Sequence, residues 1–372
     1  MIKVKSTALW FGALLLCSPV LNACELTLAT KGKQLSVTDL ACVQQLYQGP
    51  ISSWPVPQID QGVEWQELAA LPEQAPTAAD NPLTSAKIAL GERLFFDPQL
   101  SRNKDVACAS CHKPELGFSD GDKVSTGHLQ RQGRRNSPSI TMSSFSHAPF
   151  WDGRTGSLEE QALKPIEDPV EMAFNVDELV VRLQASDDYQ QAFAQVFDQQ
   201  VTARGIAQAL ASYQRSLLPR DTDFERFMQG ERTALNAEQI HGLHLFRTKG
   251  RCMHCHNGPA LSDDQFHNVG LTYYGRQYED LGRHEVTGQP DDVGRFRTPS
   301  LRLVGQTGPW MHNGLFPHLW GVINMYNAGM PQHKRRVDQL EDENFPQTSP
   351  LLKPLDLTPV ERANLEAFLR SL

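Results

Sequence analysis

Apolar residues recur at three- and four-residue intervals over 85–96, 176–197, 202–217, 236–246, 320–328 and 358–369. That spacing puts them on one face of a helix, so each stretch predicts a helix with a buried stripe. Two-residue alternation is scarce, and the pattern therefore predicts a mainly α fold with long loops. Over 46–82 the periodicity breaks down, with Pro50, Pro55, Pro57, Pro72, Pro76 and Pro82 set among Gln and turn residues. This predicts an irregular arm wrapped on the body. At the start, Lys3 and Lys5 precede an apolar run over 8–16 and small residues up to Ala23. That make-up predicts a cleaved secretory leader over 1–23, which is too short to span a membrane. The mature protein is then soluble and exported to the periplasm.

Laying the second half over the first exposes an internal duplication. Gly91-x-x-Leu94-Phe95 precedes Cys108-x-x-Cys111-His112, and Gly242-x-x-Leu245-Phe246 precedes Cys252-x-x-Cys255-His256. Downstream, Asn136-Ser137-Pro138-Ser139-Ile140 leads to Pro149-Phe150-Trp151-Asp152-Gly153. The counterpart Arg297-Thr298-Pro299-Ser300-Leu301 leads to Pro309-Trp310-Met311-His312-Asn313-Gly314. The expected fold is thus two cytochrome c-like helical domains, each with one covalent haem. An N-terminal arm over 24–80 precedes a first domain over 81–232 and a second over 233–372, with the boundary near 229–236.

In each Cys-x-x-Cys-His motif two thiols can add to the haem vinyl groups while the adjacent imidazole meets the iron. Zinc is the competing reading of paired cysteines, but a zinc ribbon has no need of His directly after each second Cys. With Asp152-Gly153 aligned on Asn313-Gly314, Trp151 falls on His312 and Pro165 falls on Tyr326. A proline cannot ligate iron and a tyrosine can, so the two haems are expected to differ: one reactive, one coordinatively closed.

Composition changes the picture in two places. With 372 residues, 40% hydrophobic and 21% charged, the chain is long enough for two cores. The formal charge is -8, and loss of Lys3 and Lys5 with the leader takes it to about -10. This argues against nucleic acid and suits a basic partner. Of seven cysteines, Cys17 leaves with the leader and four belong to the haem motifs. Cys24 and Cys42 remain, and in an oxidising compartment they most simply pair. Leu21-Asn22-Ala23-Cys24 also resembles a lipoprotein processing box, so lipid anchoring at Cys24 is the alternative.

From about residue 81 to the end, these motifs resemble the bacterial di-haem cytochrome c peroxidase and MauG family. The resemblance also rests on Phe150-Trp151-Asp152-Gly153-Arg154, Asp168-Pro169-Val170-Glu171-Met172, Gly294-Arg295-Phe296 and Met311-His312-Asn313-Gly314. It implies a peroxide pocket over the first haem with Gln161 orienting peroxide and Glu171 shuttling a proton, and Trp151 bridging the haems. It also implies a calcium ion near the haem interface, with the Asn136 side-chain oxygen and the carbonyls of Thr307 and Pro309 as ligands. Read without the family, Glu171 is an acid opening a helix, Gln161 an exposed helical residue and Trp151 a core aromatic.

Two positions separate the family's branches. Sixteen residues after His112, where peroxidases carry a displaceable iron ligand, stands His128; a solvated loop histidine is the other reading. Fourteen residues after His312, where peroxidases carry Met and MauG-type enzymes carry Tyr, stands Tyr326, with Met325 beside it. Only one of these can face the iron, since helix neighbours point about 100° apart. His241, His244, His254, His267, His284 and His333 are expected to have no role, mostly as surface residues. The segment 331–354, rich in charge and turns, is either a partner surface or a plain loop.

The leading expectation is a peroxidase that consumes hydrogen peroxide with electrons from a small periplasmic cytochrome or cupredoxin. The second is a MauG-like enzyme that oxidises residues of a partner protein, and the third a di-haem electron carrier. A homodimer follows from the resemblance alone.

Overall fold

The computed structural model describes residues 37–372. The expected leader over 1–23 and Cys24, with its lipid-anchor reading, lie outside the described residues; Cys42 is disulfide-bonded. Two units separate at Pro55. The described part of the first contains α1 (Val37–Leu46) and one 3-10 turn, Ile51–Ser53. There the Trp54 indole donates to the Gly49 carbonyl at 3.1 Å and meets Tyr47 edge-on at 5.0 Å.

The second unit carries α2 (Ser85–Phe95), α3 (Leu158–Glu167), α4 (Val176–Gln184), α5 (Asp187–Phe197), α6 (Ala203–Ser216), α7 (Asp223–Met228), α8 (Ala237–Arg247), α9 (Leu319–Asn327) and α10 (Pro359–Leu369). The mainly α expectation holds: among the described residues the sheet is one antiparallel pair, Phe266–His267 against Phe296–Arg297. Side-chain caps set several starts. Thr84 accepts from the Lys87 N–H and Thr202 from Gly205, while Asn236 with Gln239 and Thr358 with Glu361 form reciprocal boxes.

Two expectations change. The helix expected over 176–197 is two, because the chain turns at Ala185 and restarts at Ser186 ahead of Asp187 and Asp188. Helix α3 lies outside the stretches whose periodicity predicted helices, although Gln161 alone was read as helical; Pro165 inside it has no N–H for the Gln161 carbonyl, yet the helix closes within one more turn.

Two close helix crossings organise the unit. At α2 on α6, a Cβ at Gly91 would stand 1.9 Å from the Ala209 carbonyl oxygen. At α8 on α10, one at Gly242 would stand 2.1 Å from that of Asn364. Glycine alone lets backbones approach so closely. Around the first crossing Leu94, Phe95, Tyr189, Phe193, Ile206 and Leu210 form a buried core. Around the second, Phe246 and Phe224 meet Phe368 edge-on at 5.4 and 5.6 Å.

The arm over 56–82 is irregular, as expected, and is tied down by polar contacts. The Leu71 N–H donates to the Glu225 carboxylate at 2.9 Å, and that carboxylate also pairs with Arg302 at 2.8 Å, both side chains being 0% exposed. Burial without these partners would be costly to each charge.

Gly242→Ala is expected to lower stability by about 1–3 kcal/mol through overpacking against α10, read as a lower Tm; an unchanged Tm would contradict the crossing geometry.

Candidate active site

Cys108–Cys111 forms a single helical turn that delivers His112, whose N–H donates to the Cys108 carbonyl at 3.0 Å. The His112 Nδ1 lies 3.1 Å from the Phe118 carbonyl. In the second motif the His256 N–H donates to the Cys252 carbonyl at 2.8 Å, and its Nδ1 lies 3.0 Å from the Leu261 carbonyl. A carbonyl can only accept, so in each ring Nδ1 carries the proton and Nε2 keeps its lone pair for a metal. Burial lowers the pKa of both imidazoles, which favours the neutral form a metal needs. The thiols of Cys108, Cys111, Cys252 and Cys255 are all free.

Glu171 is not the first residue of a helix. It sits in the turn between α3 and α4, and its carboxyl is close enough to the first motif for its charge to act on both Cys108 and Cys111. Burial, then the charge of Asp168, push it up to about 7, against the pull of Arg154. Gln161 faces α6, where its side-chain oxygen accepts from Gln214 Nε2 at 3.4 Å. That bond leaves the Gln161 amide N–H groups free to donate elsewhere.

His128 is buried, 7% exposed, rather than solvated. Its N–H donates to the Glu171 carbonyl at 2.7 Å, and a Cβ at Gly127 would lie 2.4 Å from the Val170 carbonyl oxygen. The loop is thus pressed onto the Glu171 turn. Its side chain lines an outward cleft with Arg102, Arg131 and Pro169.

A largely apolar cavity opens beside the second motif, with about 270 Å³ of room for the centres of water molecules. This is far more than a packing defect. Cys252, Cys255, His256 and Tyr326 line it; Leu319, Val322, Ile323 and Tyr326 put one face of α9 on it, and Met325, off that face, is not on its wall. Burial, then the nearby Cys255 and Cys252, push the Tyr326 phenol well up. Trp151 lies on the same wall, donating its indole N–H to the Asn136 carbonyl at 2.9 Å. Asn136, Thr307 and Pro309 also line the cavity; the Asn136 amide nitrogen donates to the Asp122 carbonyl at 3.1 Å.

Sequence reasoning used His312 only as an alignment marker. It is 3% exposed, stacked on Phe296 at 3.6 Å and edge-on to Trp151 at 6.4 Å, so the residues paired by the duplication meet in space. Burial drives its pKa down to about 3, and its Nε2 is buried without a hydrogen-bond partner. Two histidines expected at the surface or without a role are held inside. His241 is buried on Asn364 at 2.8 Å, and His254 is buried between Asp60 and Arg251. The signal for His241 was its place beside Gly242; His254 had none.

The donor sets fit haem better than zinc. Among the described residues, at least three metal-ligating side chains converge only at Cys255, Asp263 and His267, and neither motif brings both thiols and its imidazole to one point. A cavity with a neutral imidazole at Nε2, two free thiols and an orphaned polar atom on His312 suits an apolar, carboxylate-bearing macrocycle.

A di-haem cytochrome c peroxidase family model matches residues 85–233. A cytochrome-c peroxidase of Pseudomonas sp. (strain SCT) is 36% identical over 335 residues, covering 82% of this chain and 85% of that protein. The methylamine utilization protein MauG of Methylorubrum extorquens is 38% identical over 317 residues, with the same coverage of 82% and 85%. Among solved structures, a MauG-like protein associated with microbial copper homeostasis superposes with a TM-score of 0.72 at 32% identity, covering 81% of this chain and 94% of that one. The chain belongs to the di-haem cytochrome c peroxidase and MauG family of oxidoreductases.

Proposed function

We propose that this chain is a periplasmic peroxidase with two covalently attached c-type haems, reducing hydrogen peroxide to water with electrons from a small cytochrome c or cupredoxin. The observation that carries the reading is Glu171, a carboxyl held near pKa 7 beside Cys108 and Cys111. An acid poised at neutral pH is what proton transfer to peroxide requires.

Haem held by Cys108, Cys111 and His112 would supply an iron centre for peroxide and the electrons for O–O cleavage. Two electrons and two protons convert one peroxide to two waters. Glu171 gives a proton to the outer peroxide oxygen and recovers one from the inner. Gln161, its oxygen engaged by Gln214, turns its N–H donors to the peroxide. Trp151 would link the two sites, His256 and Tyr326 would hold the second haem, and Asn136, Thr307 and Pro309 would hold calcium. The halves meet near 229–236, and the 1–23 leader supports export. The family's dimeric members make a homodimer the expected assembly.

Tyr326 favours a second reading. An anionic phenolate favours the oxidised haem, where a thioether would favour the reduced one. The second haem would then share oxidising equivalents with the first, and a partner protein would be oxidised at its surface. A pure electron carrier is the poorest fit, because it has no use for an acid like Glu171.

Pyridine haemochrome analysis is expected to give two haems per chain, with Cys111→Ala and Cys255→Ala each losing one from denaturing gels. Glu171→Gln should slow peroxide cleavage by about 10². Glu171 carries its proton below about pH 7, so the wild-type rate should fall as pH rises through that value, and the variant should lack this limb. Sustained turnover with reduced cytochrome c selects the first reading; peroxide-dependent oxidation of a partner protein without such turnover selects the second. A wild-type pH profile that is flat through 7, like that expected of Glu171→Gln, would reject Glu171 as the acid.

A further inference from the structure

The family match begins at residue 85, yet the arm before it is bonded to residues that wall the cavity at the second motif. From 56 to 86 the sequence has no Lys or Arg and carries Asp60, Glu64, Glu67, Glu73 and Asp80. It runs along the loop that bears Cys252, Cys255 and His256. The Gln58 N–H donates to the Arg247 carbonyl at 2.9 Å, and Glu67 pairs with the Arg247 guanidinium. The Gln66 N–H donates to Asn257 Oδ1 at 3.1 Å, and the Gly258 N–H donates back to the Gln66 carbonyl.

Asp60 is the centre of this seam. Its carboxylate takes both Arg251 Nη atoms, at 2.9 and 2.6 Å, and Lys353 Nζ at 3.0 Å. Its own N–H donates to Nε2 of His254, at 3.1 Å, while Nδ1 of that ring donates to the Arg251 carbonyl at 2.8 Å. Arg251, His254 and Lys353 all line the cavity. One arm carboxylate therefore ties the segment before Cys252 to the far end of the 331–354 segment, and it neutralises two cations on the cavity wall.

We infer that Asp60 is a positioning residue for the second haem: acting through Arg251, His254 and Lys353, it holds the attachment loop closed and sets the charge that this haem feels. The inference rests on the di-haem reading proposed above. Its sign follows from electrostatics. Uncompensated cations beside a haem favour the added electron, so the Asp60 carboxylate lowers the reduction potential at His256 and biases that site toward the oxidised state. Because the seam lies near solvent, the effect weakens with salt.

The test is a spectroelectrochemical titration of the purified holoprotein, with haem counted first by pyridine haemochrome. A count below two per chain would overturn the di-haem reading itself. With two present, Asp60→Asn is expected to raise the midpoint of the His256 haem and leave that of the His112 haem unchanged. Asp60→Glu should restore the wild-type value, Lys353→Gln should shift the same haem downward, and raising ionic strength should shrink both shifts. The proposal is overturned if both haems shift together, if neither shifts, if Asp60→Glu behaves as Asp60→Asn, or if Lys353→Gln moves the potential in the same direction as Asp60→Asn.

Discussion

An imidazole can offer a lone pair at Nε2 only while its proton is kept on Nδ1, and here a main-chain carbonyl keeps it there at both His112 and His256. The carbonyls belong to Phe118 and Leu261, and both residues have left-handed backbones, with φ of 58° and 52°. Such a conformation costs about 1–2 kcal/mol for a residue with a side chain. The loops are held to it by neighbouring turns, with the Phe118 N–H bonded to Lys113 and the Leu261 N–H to Gly258. The helix crossings at Gly91 and Gly242 then carry these loops on rigid supports. Ring orientation and core packing thus form one chain of dependence around each Cys-x-x-Cys-His motif.

On that common scaffold burial acts on two different acids. At Glu171 it raises a carboxyl to about 7, where the group can both give and take a proton. At Tyr326 it pushes a phenol well up, so the phenol stays neutral unless a cation in the cavity takes the place of its proton. The same desolvation therefore makes an acid–base group in one half and a conditional ligand in the other. Trp151 and His312, which the sequence alignment pairs, are brought edge to face by the fold.

Much of this was legible because the chemistry needs fixed spacing. The Cys-x-x-Cys-His motifs act within a few residues of themselves, and the glycines before each motif showed as a repeat, although their partners Ala209 and Asn364 lie far along the chain. Features set by tertiary contact were not. Pro165 hid α3, because its helix is completed by packing that a local pattern cannot reveal. His128 was an open choice in sequence, and its burial follows from the contact of its loop with Val170 and Glu171. The role of Asp60 was invisible, since its partners Arg251 and Lys353 lie about 190 and 290 residues further on. The arm looked irregular, and it is; it nonetheless buries Leu68 and Leu71 beside its polar ties.

The central claim is that two similarly attached haems differ in their sixth position, and electron paramagnetic resonance of the resting, fully loaded protein tests it most directly. The account predicts one high-spin signal, from the His112 site, and one low-spin signal of the His/Tyr type, from the His256 site. Two low-spin signals, or a His/Met signature at the second site, would contradict it.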